Sequence, residues 1–521
     1  MNGLRSPSAS PWSLDAARIG LLVAWMAFGL MRFPMVMQLA GQYDEEYFAT
    51  AGLTTLREGV PRFPGCLVQR GDEVLTSEHP YVRSMSKCLF IEPPMIYLVE
   101  APFLAVLPPS HSTARLPTFL AGLVAIWLVY RVARSLVEPR WVLGLSLVML
   151  ACSRPLMFTS IIARPDLICG VFGWAAILAM MRWQRDPRWR WLIVAGVCCG
   201  GGLLSHPFSA VYCLQCGIWT LASSGTVPDR LKRASLLTGC SLVVFALWLP
   251  LILKFPEEIQ LQFSWNVIDN VGPGLGARFV WPWQSLWNHW DLQSEFNGPY
   301  QLAFLVGGTI LGSGLWWRVS AEHRRYVVLI WTAGYLTAVL AGMHRTKGYW
   351  IYPIGLMYPL AADGVWRVIN AVRQGVVGSS SGERVTAVAM SVVCLALMAP
   401  GAGVRTVLNG WRHWNDERFH ADRLVERVLK DLPQDGVYMV DPGHMLDFYA
   451  SGRQTLLLSS RHEWYWGRHV PLADYIITTR CADISDWKNF YDATLFRREG
   501  STSNDENYIE IYRVNGAKVR K

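Results

Sequence analysis

The stretch "IGLLVAWMAFGLMRFPMVMQLAGQYDEEYFAT" (residues 19–50) joins a long apolar run to three consecutive carboxylates. An α-helix needs about 20 apolar residues to cross the hydrocarbon core of a bilayer. The run from 19 to 40 is too long for a signal-peptide core and is followed by no convincing cleavage site, so we predict an uncleaved first span. The sequence therefore places Asp44, Glu45 and Glu46 where a membrane helix ends, a position at which charge is costly.

The composition of the whole chain is that of a membrane protein. Of its 521 residues, 52% are hydrophobic and only 17% are charged, and the mean hydropathy is +0.22. A soluble protein would carry about a quarter charged residues. The net charge of +9 comes from basic residues scattered between apolar runs. That distribution favours basic cytoplasmic loops, with membrane lipids as partners, over nucleic-acid binding.

Apolar runs recur along most of the chain and predict an all-α polytopic membrane protein with about eleven transmembrane helices. Loops rich in Lys and Arg alternate with loops poor in them, and the positive-inside rule assigns the rich set to the cytoplasm. The first outer loop is then 41–112, and the tail from 403 is also extracytoplasmic. The predicted spans are 19–40, 113–130, 141–153, 166–181, 190–204, 207–222, 235–253, 300–317, 326–342, 349–366 and 385–402.

One apolar segment of the outer loop is too short for a span. "EPPMIYLVEAPFLAVLPP" (92–109) has only about fifteen residues between its proline pairs and is interrupted by Glu100. We predict a helix lying at the outer surface, with Glu100 at the interface. Cys66 and Cys88 lie in the same loop, and the sequence leaves open whether they form a disulfide.

The tail 403–521 changes character and predicts a small extracytoplasmic α/β domain, separate from a transmembrane domain of residues 1–402. A helical pattern in "ERFHADRLVERVLKDL" precedes β-like runs in "GVYMV", "QTLLL", "ADYIITT" and "YIEIYRV". Nothing in the tail has a catalytic pattern. "DPGHMLDF" is explained by a turn followed by a helix start.

The carboxylates after the first span allow two interpretations. Asp44 would cap the helix "EEYFATAGLTTLREG" with its side chain, or it would act as a general base at the membrane surface. A partly dehydrated carboxylate has a raised pKa and accepts a proton more readily. Charge alone favours the capping interpretation.

The order of motifs along the chain changes that preference. The acidic pair is followed by "EPPMIYLVEAPFLAVL", "ARLPTFLAGLVAIWLVYRVAR", "SIIARPDLICG", "GLLSHPFSAVY" and "HRTKGYWIYPIGLMYPLAADGVW". This order resembles the GT-C superfamily of membrane glycosyltransferases over about residues 40–370. The similarity is greatest to the bacterial branch related to protein O-mannosyltransferases and lipid A aminoarabinose transferases. The motifs are weak singly, and their order and spacing carry the resemblance.

The resemblance implies sugar transfer, with inversion, from a polyprenyl-phosphate donor to an acceptor hydroxyl outside the cytoplasm. The acceptor would be a lipid, a glycan or a protein. Asp44 matches the family's catalytic Asp and is assigned as the base. Glu45 matches the following Glu and would orient the acceptor or Asp44. Glu46 is expected to be a solvated neighbour.

The leaving group would be a lipid phosphate, which calls for cations. In the aminoarabinose branch a Lys precedes the Pro-Pro pair, but Glu92 stands there in this chain. Arg345 and Lys347 are the first substitutes, with Tyr349 as a hydroxyl contact. The alternative for the two cations is that they reach lipid headgroups.

Three further residues complete the candidate donor site. Asp166 would hold a sugar hydroxyl or an active-site Arg, or would cap its helix; Arg164 stands beside it, and His206 lies at an outer turn. We expect no metal cofactor. The rival function is a lipid or glycan transporter or flippase, which would favour repeated halves with polar groups near the midplane; no such repeat is found.

Overall fold

The computed structural model describes residues 11–42, 44–70, 73–269, 274–377, 382–401, 403–458, 466, 473–479, 485–500 and 507–517. These residues are mostly helical, with a two-stranded and a five-stranded sheet. The helices are α1 (Pro11–Gln38), α2 (Glu45–Glu58), α3 (Pro80–Met85), α4 (Met95–Val106), α5 (His111–Ala133), α6 (Arg140–Cys152), α7 (Arg154–Ser160), α8 (Pro165–Arg185), α9 (Trp189–Leu203), α10 (Ala210–Leu221), α11 (Val227–Phe245), α12 (Leu249–Lys254), α13 (Pro256–Phe263), α14 (Leu275–Val280), α15 (Trp283–Asn297), α16 (Pro299–Trp316), α17 (Ala321–Ala341), α18 (Ile351–Val377), α19 (Glu383–Met398), α20 (Val404–Arg412), α21 (Ala421–Asp431) and α22 (Met445–Ala450). The strands are β1 (Leu67–Arg70), β2 (Glu73–Thr76), β3 (Val437–Val440), β4 (Gln454–Leu457), β5 (Tyr475–Thr479), β6 (Tyr491–Gly500) and β7 (Tyr508–Ala517).

The long apolar helices are those of an integral membrane protein. Ten of the eleven predicted segments overlap one helix each, and the segment 235–253 extends over both α11 and α12. Residue 402, the predicted end of the last segment, lies outside the described residues. By length and hydropathy, the described residues contain four helices able to cross a membrane, or five if the bent pair α6–α7 counts as one span. The number of about eleven crossings therefore stays a prediction. The four are the part Ala16–Gln38 of α1, helix α5 (His111–Ala133), helix α8 (Pro165–Arg185) and the stretch Val227–Lys254, which contains α11 and α12.

Small residues bring the membrane helices close together. Helices α1 and α6 cross where Gly20 faces Gly144, and a Cβ atom built on Gly20 would lie only 2.2 Å from the Gly144 Cα. Backbone contact of this kind is typical of helix pairs in membranes. The crossing places the carboxyl end of α1 beside the other helices that frame the outer loop.

The first outer loop folds against the helix bundle. Helix α4 is the predicted short helix, and it packs on α2 and α5. The expectation that Glu100 lies at the interface is wrong, because its side chain is fully buried. A Cβ atom on Gly52 of α2 would lie 2.5 Å from a Glu100 carboxylate oxygen, which shows how closely the two helices approach. Cys66 and Cys88 are both buried and free, in two different apolar clusters.

The tail contains the predicted helix α21 and the predicted strands β3, β4, β5 and β7. The sheet has the order β4-β3-β5-β7-β6, with parallel pairing around β3 and antiparallel pairing around β7. The segment "DPGHMLDF" forms a turn followed by α22, as expected. Strand β6 was not predicted, because it is an edge strand whose exposed residues on both faces leave no hydrophobic alternation.

The tail packs directly on the first outer loop. Phe63 and Cys66 of the loop share an apolar core with Met439 and Met445 of the tail. The Gly41 amide donates a hydrogen bond of 2.9 Å to the Gly443 carbonyl, and Trp411 of α20 donates one of 2.7 Å to the Leu30 carbonyl of α1. The loop and the tail therefore stabilise each other, and the boundary at 402 stays a prediction.

Candidate active site

The candidate site lies where α1 ends and α5 and α8 begin. Arg115, in the second turn of α5, donates hydrogen bonds of 2.7 and 2.6 Å to the Leu39 and Ala40 carbonyls. These carbonyls follow the last turn of α1, and a helix end leaves such groups without partners inside the helix. The "ARLP" segment therefore fixes the end of the first span against α5.

Glu45 is a buried structural carboxylate. Its two oxygens accept hydrogen bonds from Arg115 at 2.7 and 2.6 Å, and neither side chain is more than 1% exposed. The same carboxylate accepts bonds from the Ala163 amide at 2.8 Å and the Gln42 amide at 2.9 Å. Glu45 thus joins the ends of α1, α5 and α8. Of its two predicted roles, this geometry supports the orientation of Asp44, because both oxygens are occupied by the protein.

Asp44, the residue directly before Glu45, is exposed where Glu45 is buried. Its side chain is 58% exposed and forms an ion pair with the Arg164 guanidinium. It stands directly before α2, but its side chain makes no capping hydrogen bond. The capping interpretation therefore does not describe this structure. Among the described residues, the carboxylate pairs with the Arg164 cation, and more than half of the side chain is open to solvent.

Arg164 links Asp44 to Asp166. Its Nε donates a hydrogen bond of 2.9 Å to Asp166 Oδ2, and its side chain is only 5% exposed. Burial alone would lower the pKa of Arg164, but Asp166 and Asp44 together raise it, so the guanidinium stays charged. Asp166 lies in the first turn of α8 and holds this Arg, which was one of its predicted roles.

Glu46 is not the solvated neighbour that the sequence analysis expected. It is only 4% exposed, and its Oε2 is buried with no hydrogen-bond partner among the described residues. Burial, followed by the negative charge of Asp44, raises the pKa of Glu46 well above its ordinary value. The expectation failed because α2 turns this side chain inward, which a run of three acidic residues does not reveal.

The predicted donor residues Glu92 and His206 contact each other. His206 Nε2 lies 3.1 Å from a Glu92 oxygen, while His206 Nδ1 accepts a hydrogen bond from the Phe208 amide. Burial lowers the pKa of His206, but the Glu92 carboxylate reverses the effect and the net shift is upward. Glu92, which stands where the aminoarabinose branch has a Lys, therefore has His206 as its partner.

Tyr349 closes the space between the two charged pairs. Its ring lies 5.2 Å from the His206 ring and 4.3 Å from the Phe208 ring, measured between centroids. Gly348 lies against Asp166, so closely that a Cβ atom would be 2.8 Å from the carboxylate carbon. A narrow cavity of about 20 Å³ remains beside these groups, which is room for one water molecule.

The two predicted phosphate-binding cations lie on the segment just before α18. Arg345 forms ion pairs with Asp291 at 2.9 Å and Glu295 at 3.7 Å, and all three side chains are at least 45% exposed. The Lys347 ammonium lies 5.4 Å from the centre of the Phe296 ring. Neither cation contacts Asp44 in this structure.

Sequence reasoning missed two residues of the site. Arg115 stands inside the quoted "ARLP" motif, and its charge in an apolar helix was the available signal. His344 directly precedes Arg345, and its ring lies 5.8 Å from the Tyr349 ring. Burial lowers the pKa of His344, although the nearby Asp44 opposes that shift.

A metal site is not evident in the part of the chain that the structure describes, where no three His, Cys, Asp or Glu side chains form a ligand set. His289 in "NHWD" is buried, while Asp291 pairs with Arg345. The expectation that no metal is needed stays a prediction.

Comparisons with known proteins confirm the resemblance seen in the sequence. Residues 91–253 match the family model described as dolichyl-phosphate-mannose-protein mannosyltransferase. The structure is similar to ArnT from Cupriavidus metallidurans bound to undecaprenyl phosphate, with a TM-score of 0.56 and 13% identity over 98% of this chain and 99% of that one. It is also similar to the apo state of that protein, with a TM-score of 0.57 and 13% identity over 96% and 97% of the two chains. A search of curated protein sequences returned no match.

Proposed function

We propose that the chain is a membrane glycosyltransferase that moves a sugar from a polyprenyl-phosphate donor to an acceptor hydroxyl on the extracytoplasmic side. Asp44 acts as the general base. The observation that carries this proposal is the exposed Asp44 carboxylate, paired with the buried Arg164 at the shared ends of α1, α5 and α8. The match to the mannosyltransferase model and the fold shared with ArnT support it.

The position of Asp44 suits the geometry of a lipid-linked donor. The polyprenyl tail lies in the bilayer, so the anomeric carbon is held at the lipid–water boundary. The acceptor oxygen attacks this carbon from the side opposite the phosphate, and its proton passes to Asp44. The bond between the anomeric carbon and the phosphate oxygen breaks, polyprenyl phosphate leaves as the anion, and the configuration inverts.

Arg164 keeps the base in place through their ion pair. Because Asp166 shares the guanidinium, Arg164 cannot swing away from Asp44 without breaking a second ion pair. Arg164 is thus a positioning residue, and Asp166 holds it.

The leaving phosphate needs additional positive charge. Asp44, Asp166 and Glu92 already offset Arg164 and His206 at the site. Arg345 and Lys347 are the cations that we assign to it, on the segment that also carries Tyr349 and Gly348. The ion pairs of Arg345 are exposed, and exposed pairs contribute only about 0–1 kcal/mol. Arg345 therefore exchanges Asp291 for a phosphate at little cost when the donor binds.

The test supplies the purified, full-length chain with polyprenyl-phosphate sugars of several kinds and follows donor consumption. Asp44→Asn removes the base and is expected to slow transfer by about 10²–10⁴-fold, the range typical of general base catalysis. Glu58→Gln is the matched control, because Glu58 is also a half-exposed carboxylate of this loop paired with an Arg. It is expected to leave the rate unchanged.

Two outcomes would contradict the proposal. Consumption that survives Asp44→Asn would remove Asp44 as the base. Donor that crosses the membrane without being consumed, with the unsubstituted chain and with Asp44→Asn alike, would instead support the flippase function.

A further inference from the structure

A cluster of five arginines lies at the other end of the bundle, away from the candidate active site. These residues line a cavity of about 280 Å³ between the last turns of α5 and α8, together with Ser135. Helix α5 has 23 residues, which is a length of about 34 Å, or one bilayer thickness. The cavity therefore opens at the opposite membrane surface. The arginines are Arg131, Arg134, Arg140, Arg182 and Arg185.

Two of the five arginines are committed to protein partners. Arg185 pairs with Glu322 and donates a hydrogen bond of 2.6 Å to the Ser135 hydroxyl. Arg140 donates one of 3.0 Å to the Val137 carbonyl and lies 3.8 Å from Glu138. These contacts offset the charge of Arg185 and Arg140 and leave the charge of the cavity to the remaining three.

Arg131, Arg134 and Arg182 have no carboxylate partner among the residues that the structure describes. Each guanidinium instead lies near an aromatic ring: Trp127 at 5.2 Å, Tyr130 at 5.8 Å and Trp191 at 5.7 Å, respectively. The rings position the three cations without neutralising them. Three half-buried like charges around one cavity repel each other, and an anion between them removes that repulsion.

We infer that this cavity binds the phosphate of an anionic phospholipid. Guanidinium groups suit phosphate because their planar donors match its oxygens. Leu178 and Met181 complete the lining, so apolar surface adjoins the cations at the level where a lipid headgroup meets its acyl chains. Basic pockets between membrane helices at this surface recognise such headgroups. The inference does not depend on the proposed transferase activity.

The test measures the thermal stability of the full-length chain in detergent during titration with lipid. Phosphatidylglycerol is expected to raise the melting temperature, and phosphatidylcholine is expected to have no comparable effect. The double substitution Arg131→Gln/Arg182→Gln is expected to weaken the response to phosphatidylglycerol by about tenfold or more, since two charged hydrogen-bond donors are lost. Native mass spectrometry counts the lipids that remain bound.

The matched control is Arg188→Gln/Arg190→Gln, which removes two arginines of the same surface that pair with Asp186 outside the cavity. An equal loss in both double variants would show a general charge effect and overturn the site. An equal response to inorganic phosphate would assign the cavity to a free anion instead of a lipid. If the Arg131→Gln/Arg182→Gln chain does not fold, the unsubstituted chain decides, because equal responses to the two lipids would also overturn the inference.

Discussion

At the scale of single residues, two adjacent carboxylates have opposite roles. Glu45 is buried with both oxygens bonded to protein groups, whereas Asp44 is more than half exposed and has one cationic partner. Only a carboxylate with unoccupied lone pairs can take a proton from a substrate. In the proposed reaction, Glu45 fixes the backbone and Asp44 meets the acceptor.

Glu45→Gln is expected to destabilise the fold strongly. The substitution leaves Arg115 as an uncompensated buried charge, and breaking a buried ion pair costs about 3–5 kcal/mol. Thermal unfolding in detergent measures the effect. The double variant Glu45→Gln/Arg115→Met removes both charges and is expected to recover part of the loss. A Glu45→Gln chain as stable as the unsubstituted one would show that the pair does not hold the helix ends together.

The substitution Arg164→Gln tests whether Arg164 positions Asp44 without itself taking part in the proton transfer. Asp44 would keep its carboxylate but lose the ion pair that holds it, so we expect a lower kcat with little change in the KM for the donor. Arg164→Lys restores the charge and is expected to recover part of the rate. An unchanged kcat in an Arg164→Gln chain that still folds would contradict the positioning role of Arg164.

At the scale of elements, the packing of α2 on α4 buries acidic groups that the sequence placed at the surface. Within the part of the chain that the structure describes, neither buried oxygen of Glu100 has a hydrogen-bond partner, and burial raises the pKa of this carboxyl well above its ordinary value. Glu46 of α2 has the same direction of shift. The folded state therefore binds more protons than the unfolded state over the intervening pH range.

Glu100→Gln is expected to reduce the pH dependence of stability. A raised folded-state pKa means that stability falls as pH rises from the ordinary carboxyl range to the folded-state pKa. The amide does not titrate, so its melting temperature is expected to decline less over that interval; Glu46 still contributes the rest. Melting temperatures between about pH 4.5 and 8 measure this, with Glu58→Gln as the control. A steeper decline in Glu100→Gln would contradict a neutral, buried Glu100.

The sequence predicted the positions of helices and strands better than the burial and contacts of single side chains. Apolar runs located each predicted span on one helix, or on two for 235–253, and alternation located β3, β4, β5 and β7, because both patterns are local. The burial of Glu46 and Glu100 was missed because it arises from the approach of α2 to α4. The sequence named Asp44, Arg164 and Asp166 only as candidate site residues. It did not predict that Asp44 pairs with Arg164, because residues 120 positions apart are brought together only by the fold.

At the scale of the whole molecule, the predicted outer ends of the spans lie together. Arg115 and Glu45 join the end of α1 to the starts of α5 and α8, and the arginine cavity lies at the opposite ends of α5 and α8. In a single membrane orientation, the Asp44 site at one end of α5 and α8 and the arginine cavity at the other end therefore lie at opposite surfaces. By the positive-inside rule we expect the arginine cavity to face the cytoplasm and Asp44 to face outward.

Cysteine labelling tests this orientation. A membrane-impermeant maleimide added to intact cells is expected to label Val60→Cys in the first outer loop and to spare Ser224→Cys in the exposed turn before α11. The unsubstituted chain measures labelling of its own cysteines. Labelling of Ser224→Cys but not of Val60→Cys would invert the topology and place Asp44 on the wrong side for the proposed reaction.

The tail is expected to be required for the site although none of its described residues pairs with Asp44 or Arg164. Met445 is fully buried in the core shared with the outer loop, and shortening a buried Met to Ala costs about 2–5 kcal/mol. Met445→Ala is therefore expected to lower the melting temperature and the transfer rate together. Leu408→Ala, at an exposed position of α20, is the control. Full activity with a lowered melting temperature would show that the loop holds Asp44 without the tail.

The most direct measurement of the central claim is rescue of Asp44→Ala by azide. Azide is an anionic nucleophile with no proton to remove, so it does not need a base. The account predicts that the variant fails to transfer sugar to a hydroxyl acceptor but, with azide added, consumes the polyprenyl-phosphate donor and forms the glycosyl azide of inverted configuration. A variant that glycosylates hydroxyl acceptors at the unsubstituted rate, or one that azide cannot restore while its fold and donor binding are intact, would contradict the account.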